Sequence, residues 1–342
     1  MTTPRAPGDA EPPPNAANLP SVRAKQILGT GLAVLVGVGM AVQSRINGQL
    51  AAELADPVLA AVISFGGGLV VLLGALAAAP RMRRGVGRVT SALRTGGLRP
   101  WHLLGGLAGA TLVLGQSVTV VVIGVALFTV GVVAGQTVSG LFVDKAGLGP
   151  GGAQAPSRPR VVGAVLTVLA IAGTVTGGLG DAEAGSAWLL VLPLVAGGGM
   201  ALQQAFNGHV GAVAGSPLTA ALVNFTAGTA VLVPAWLGTL ALGGGPVTWP
   251  ANPVLYLGGL VGVVFIATAA LLVPRIGVLL LGLASVAGQL VGSVLLDLFV
   301  PAADVGVGAS TVLGCAVALL AVAVASVGGR GRTGAVLRES RT

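Results

Sequence analysis

Charge is scarce in this chain. Of 342 residues, 18 are Lys or Arg and 10 are Asp or Glu. They leave long gaps, with no formal charge between Lys25 and Arg45, Asp56 and Arg81, Arg99 and Asp144, or Glu183 and Arg275. A water-soluble domain of this length carries a charged shell, so that class is excluded. Aromatic residues make up only 4%, which removes the interleaved basic and aromatic surface of a nucleic-acid binder despite a net charge of +8. No nucleic-acid partner is expected. The single cysteine, Cys315, excludes an intrachain disulfide and a thiolate metal centre. The two histidines, His102 and His209, fall in distant parts of the sequence. A nucleophile, base or metal cluster therefore has no candidates, and neither an enzyme, a cofactor nor a metal site is expected.

What fills the gaps is apolar. Hydrophobic residues account for 54% of the chain and the mean hydropathy is +0.94. A charge at the bilayer centre costs ~2.5 to 3.5 kcal/mol even on lenient insertion scales, so the charge-free stretches are where lipid-facing helices belong. Cut into lengths of about 20 residues, which cross ~30 Å of hydrocarbon, they give ten spans: 27–46, 57–79, 101–121, 124–143, 161–179, 187–206, 217–240, 253–273, 277–298 and 308–327. Asn47-Gly48 and Asn207-Gly208 read as helix endings. Asp56-Pro57 and Ser216-Pro217 read as an N-cap followed by a first-turn proline. Residues 1–26, rich in proline, are expected to be a disordered cytoplasmic tail, and 328–342 a second cytoplasmic tail.

The same phrases recur. "GMAVQSRINGQ" at Gly39–Gln49 returns 160 residues later as "GMALQQAFNGH", and the register holds through Pro57/Pro217 and Phe65/Phe225. At an offset of 153, Ile123-Gly124 falls on Ile276-Gly277, Ala134-Gly135-Gln136 on Ala287-Gly288-Gln289, and Asp144 on Asp297. Shared Gly and Val content does not align Met, Gln, Asn, Asp and Phe, so the chain is read as a tandem duplication, 27–180 and 187–327. Five spans per copy is an odd number, so the second copy is inverted in the membrane. With the N-terminus inside, every Lys and Arg but Arg45 falls on the inner side, as the positive-inside rule requires. The fold expected is all-α and integral to the membrane, with ten transmembrane helices in two inverted five-helix repeats and both termini cytoplasmic.

Two five-span units, each opening G-M-A-x-Q-x-x-x-N-G, continuing through x-P-x-x-A-A-x-x-x-F and carrying A-G-Q, resemble the YdcZ-type family of bacterial inner-membrane proteins in the drug/metabolite transporter superfamily. The resemblance covers nearly all of 27–327. It implies a carrier, with export as its direction, and a fused form where many relatives are single units that pair. It implies little about substrate. The small multidrug branch of the superfamily relies on a membrane-embedded glutamate, and no span here contains one.

An inverted repeat lets two halves exchange conformations and open to either side, which points to a secondary transporter of a small organic metabolite or drug. A structural or assembly protein without transport of its own is the alternative, since glycine-rich packing would serve it too. Polar residues inside spans face protein or a water-filled path. Gln43 and Asn47, on one helix face with Met40, are assigned to the outer mouth; Gln203 and Asn207, with Met200, to the inner one. Gln136 and Gln289 lie near the centres of their spans and are read either as substrate contacts near the midplane or as a pair of interhelical hydrogen bonds. Asp144 and Asp297 are read as solvated helix-end carboxylates, with coupling to a proton or sodium ion as the second reading. Arg45 is expected to reach to the surface. The segment from Arg81 to Arg99 is expected to follow the anionic inner leaflet with Val86, Val89 and Leu93 dipping into it. Expected partners are a small-molecule solute, the lipid bilayer and, if two chains pair, a second copy in a homodimer.

Overall fold

The computed structural model describes residues 22–150, 152–153, 158, 161–166, 168–169, 189–276, 278–300 and 309–327. The outer-loop acids Asp181 and Glu183, most of the fifth span and the tails 1–21 and 328–342 lie outside the described residues. The elements are α1 (Val22–Leu54), α2 (Pro57–Ala78), α3 (Pro80–Arg94), α4 (Gly105–Ala146), α5 (161–166), α6 (Val191–Ala214), α7 (Pro217–Ala241), α8 (Gly258–Ile276), α9 (Val278–Phe299) and α10 (Ala309–Val327). Short 3-10 turns at Pro100–Leu104 and Pro253–Leu257 lead into α4 and α8, again at the offset of 153. No strand occurs among the described residues. Five described helical stretches are long and apolar enough to cross a membrane: Ile27–Leu54, Pro57–Ala78, Pro100–Ala146, Pro217–Ala241 and Leu281–Phe299.

One of these stretches supplies two crossings. Gly124 interrupts α4 with φ 78 and ψ 163, a region essentially closed to residues with a Cβ. Residues 115 and 128 would stand about 20 Å apart along a straight helix. Instead, a Cβ on Gly115 would lie 3.7 Å from a Phe128 ring carbon. The helix therefore doubles back at Gly124 into a first arm, 105–123, and a second arm, 125–146, matching the expected turn between the third and fourth spans.

The Asn-Gly pairs do not end their helices, contrary to the sequence reading. α1 continues past Asn47-Gly48 to Leu54, and α6 past Asn207-Gly208 to Ala214. The closures come at repeat-equivalent positions further on, Ala55 with φ 54 and Gly215 with φ 57. The physical reason is packing: Asn47 is fully buried and side-chain bonded, and Gly48 lets Val120 approach so that a Cβ there would lie 2.8 Å from it. Burial with a partner outweighs the weak helix preference of both residues, ~0.7 to 1 kcal/mol each. The caps that follow are as expected. Asp56 accepts from Leu59 N–H at 2.8 Å and Ser216 from Thr219 N–H at 3.3 Å.

The two copies pack by exchange. Gly37 of α1 sits on the carbonyl of Ser285 and the N–H of Gln289 in α9, and Gly197 of α6 on the carbonyl of Val132 and the N–H of Gln136 in α4. Gly259 of α8 likewise meets Ser64 and Gly68 of α2, while Gly106 of α4 meets Asn224 and Gly228 of α7. Each of these approaches in one copy has its counterpart in the other at the same offsets. The opening helix of each copy thus packs on the third and fourth helices of the other, with α2 and α7 in contact with each other.

α3 departs from expectation. Met82, Gly85 and Val89 are buried, with Val89 clustered with Val210, Ala214 and Ala220 of α6 and α7 and with Leu93 against them. Its apolar face is docked on the protein rather than dipped into lipid, because α6 runs past the predicted span end at 206 to Ala214 and, with the first turn of α7, presents an apolar surface to it. Arg81, Arg83, Arg84, Arg88 and Arg94 are all exposed.

Candidate functional site

The face of α1 bearing Met40, Gln43 and Asn47 turns inward against α8 and the first arm of α4. Gln43 Nε2 donates to the Gly258 carbonyl at 2.8 Å. Asn47 Nδ2 donates to Gln116 Oε1, and Gln116 Nε2 donates to Ser44 Oγ, both at 2.8 Å. The Ser44 hydroxyl donates to the Met40 carbonyl at 3.0 Å. That last bond fixes the direction of the chain: with its proton engaged, Ser44 accepts from Gln116, which turns its oxygen to Asn47. Asn47 Oδ1 is left against Gly258 with no hydrogen-bond donor from the protein.

The second copy repeats the face with different partners. Asn207 Oδ1 lies against Gly105, where a Cβ would stand 2.8 Å away, and Asn207 Nδ2 donates to Asn224 Oδ1 at 3.1 Å. Gln203 is 6% exposed, yet its Oε1 has no hydrogen-bond partner. Between the two faces Phe65 and Phe225 meet with ring centroids 5.0 Å apart and planes at 36°. A Cβ on Gly109 would touch both Phe65 and Gln203, and one on Gly262 would touch both Phe225 and Gln43. Met40 and Met200 share one buried cluster with Leu112, Phe128 and Val132. The glutamines expected at opposite mouths thus flank a common central seam. The longer helices explain it: with α1 running to Leu54, Gln43 lies only a few residues past mid-helix.

Gln136 and Gln289 occupy two separate crossings, Gln136 beside Gly197 of α6 and Gln289 beside Gly37 of α1. Gln289 is 2% exposed and Gln136 is half-buried. A groove of about 420 Å³ opens one turn from Gln136, lined by Gly135, Val138, Ser139, Phe142, Val168 and Leu194. Glycines 131, 135, 288 and 292 pack against Pro193, Leu194, Val34 and Val38, so that stripe serves close helix contact.

Asp297 is not a solvated helix-end carboxylate. It is 7% exposed and accepts from Val125 N–H at 3.1 Å and Ala126 N–H at 2.6 Å. The reason is the hairpin at Gly124, which starts a new helix at 125 whose first N–H groups lack intrahelical partners; a carboxylate there is favourable. Arg45, half-buried, is within electrostatic reach of this carboxylate rather than held only at the surface. Asp144 is half-buried. His102 and His209, distant in sequence, stack with centroids 4.3 Å apart beside Phe206. Among the described residues no group of three or more His, Cys, Asp or Glu could hold a metal ion.

Sequence reasoning did not single out Gln116, Asn224 or the Phe65–Phe225 contact. Gln116 carried a usable signal: it is the one amide within the span 101–121.

The family described as "Putative inner membrane exporter, YdcZ" matches residues 28–173 and 188–324. The chain belongs to that family. The two matched stretches fall on the two copies, so it is a tandem form of the YdcZ unit, a multi-pass inner-membrane protein with the general role of a transporter. A solved structure described only as "Crystal structure of protein" is similar over 89% of this chain and 97% of its own, with 21% identity and a TM-score of 0.50. That likeness is one of fold. No curated protein matches the chain.

Proposed function

We propose that the chain is a secondary exporter of a small organic solute, working by alternating access between the units 27–180 and 187–327, with the solute held in the seam beside Gln43, Gln203, Phe65 and Phe225. The observation that carries this reading is a one-sided burial of equivalent residues. Ser44, Asn47, Gln289, Ser293 and Asp297 are buried, while their counterparts Gln204, Asn207, Gln136, Gly140 and Asp144 are half-buried or exposed. One sequence pattern thus closes one end of the bundle and leaves the other more open. Exchange of the two arrangements would carry the opening across the membrane. With both termini cytoplasmic, as the charge distribution indicates, the open end faces the cytoplasm. Gln136 and Gln289 then sit where α4 slides on α6 and α9 on α1, and Asp144 is the acid nearest the open end for a coupling ion.

The test is to compare metabolites between a deletion strain and an overexpressing strain, and to load the compound that changes into vesicles carrying the purified protein. Saturable exit faster than from protein-free vesicles is expected. Its absence for every compound that changes would end the transport reading.

A further inference from the structure

We infer that anionic phospholipid headgroups dock on a row of three arginines along α3, Arg81, Arg84 and Arg88, and through that helix clamp the two copies together at the inner membrane surface. Such a clamp requires no transport activity. Between Pro80 and Pro100 the chain carries six arginines and no acidic residue. The helices packed against α3 offer none either, since α2, α6 and α7 contain no Asp or Glu. The anion that neutralises these arginines has to come from elsewhere. Three of the six are set apart from the row. Arg83 Nη1 donates to the Leu76 and Ala77 carbonyls and so closes the end of α2. Arg94 lies in the last turn of α3, and Arg99 stands over the Trp101 ring at 4.9 Å. Arg81, Arg84 and Arg88, spaced by three and four residues, share one face over about 10 Å of helix. All three are exposed. Arg84 Nε donates to the Pro80 carbonyl at 3.4 Å, a bond that engages one edge of its guanidinium. The planar fork of an arginine matches two phosphate oxygens at once.

Position selects the lipid as the source of that phosphate. α2 ends at Ala78 and α3 begins at Pro80, and the segment leads back at Pro100 into the turn before α4, so the helix is tethered to the membrane surface at both ends. Its apolar face is already taken. Met82, Gly85 and Val89 are buried, and the Thr219 hydroxyl of α7 donates to the Met82 carbonyl at 3.2 Å. With no apolar face left to insert, α3 meets the leaflet by charge alone, which is how basic segments beside a membrane recognise anionic headgroups. Arg88 carries the row up to the second copy: a Cβ on Gly215, at the turn between α6 and α7, would lie 2.6 Å from its Nη1. The duplication supplies the contrast. The matching connection, 242–252, holds no charged residue. It straps the turn between α1 and α2 through its backbone, Val247 N–H donating to the Leu54 carbonyl at 3.1 Å. Bridging the copies therefore needs no arginine, and the row is an addition to the α3 side alone.

The test uses the full-length protein in phosphatidylcholine nanodiscs with a rising fraction of phosphatidylglycerol. The melting temperature should rise and saturate, and hydrogen exchange should slow both in α3 and at the turn between α6 and α7. The triple variant Arg81→Gln, Arg84→Gln, Arg88→Gln should weaken the apparent affinity about a hundredfold, which removes the rise from the accessible range. In the wild type 1 M salt should abolish it, because the screening length falls to ~3 Å. Arg94→Gln with Arg99→Gln should leave it in place. Arg81→Glu, Arg84→Glu, Arg88→Glu should transfer the response to a lipid with a trimethylammonium headgroup, a gain that misfolding cannot mimic. No saturable rise with phosphatidylglycerol, or an equal rise in the Gln triple variant, would overturn the proposal. So would the same rise from soluble glycerol 3-phosphate in pure phosphatidylcholine, which would give the row to a soluble anion.

Discussion

Asn47 and Gln116 meet amide to amide at 2.8 Å between α1 and the first arm of α4, both essentially excluded from solvent. The duplication offers no second instance, since Ala269 stands where Gln116 would be repeated and Asn207 turns to Asn224 instead. The buried network is therefore a property of the first copy alone.

Gln116→Leu should leave the Asn47 Nδ2 group and the Ser44 hydroxyl oxygen without their partner, at a cost of about 1 to 3 kcal/mol. Adding Asn47→Leu should recover part of that loss, because both buried amides are then gone. Thermal unfolding in detergent measures it. A double variant as unstable as the sum of the singles would mean the bond contributes nothing specific.

Gly124→Ala should destabilise the protein by about 1 to 3 kcal/mol, since its backbone conformation excludes a Cβ. Gly31→Ala is the control, a helical position where an added Cβ meets nothing within 4 Å. Equal melting temperatures for the two variants would show that α4 can reverse without that conformation.

Asp297→Ala should cost about 0.5 to 2 kcal/mol, as loss of a helix N-cap does, and Asp297→Asn less, because one amide oxygen still accepts from the backbone. The pH dependence of transport should survive Asp297→Asn, whose role in this reading is to hold the second arm of α4. Its disappearance, with melting unchanged, would make Asp297 a coupling residue.

Topology can be read by labelling. With Cys315→Ala in place, Gly149→Cys should be shielded from an impermeant thiol reagent in intact cells and Ala182→Cys should react. A side chain at Gly149 meets nothing within 4 Å, so the cysteine is free to report its compartment. The reverse pattern would invert the orientation.

The duplication and the turn at Gly124 were legible in the sequence because each depends on residues that recur at fixed offsets. The helix lengths were not. An Asn-Gly pair is a stop signal when exposed, and only the far partner Gln116 shows that Asn47 is buried inside a continuing helix. Asp297 hid for a similar reason: the N–H groups it accepts lie 172 and 171 residues away in the chain. The polar faces of α1 and α6 were visible from their spacing. Their convergence on one seam was not, because it follows from which helices of the two copies exchange neighbours. The apolar face of α3 was also visible, but its counterpart on α6, Val210 and Ala214, lies beyond the predicted end of that span.

The exchange packing sets a schedule for biosynthesis. The carbonyl that receives Gly37 belongs to Ser285, about 250 residues downstream, and at 5 to 20 residues per second that length takes roughly 12 to 50 s to synthesise. Throughout that interval the Gly37 face of α1 is without the helix it finally packs on. The nascent first half is thus an unfinished surface awaiting its other half, and the linkage in one polypeptide guarantees that the half arriving next is the right one.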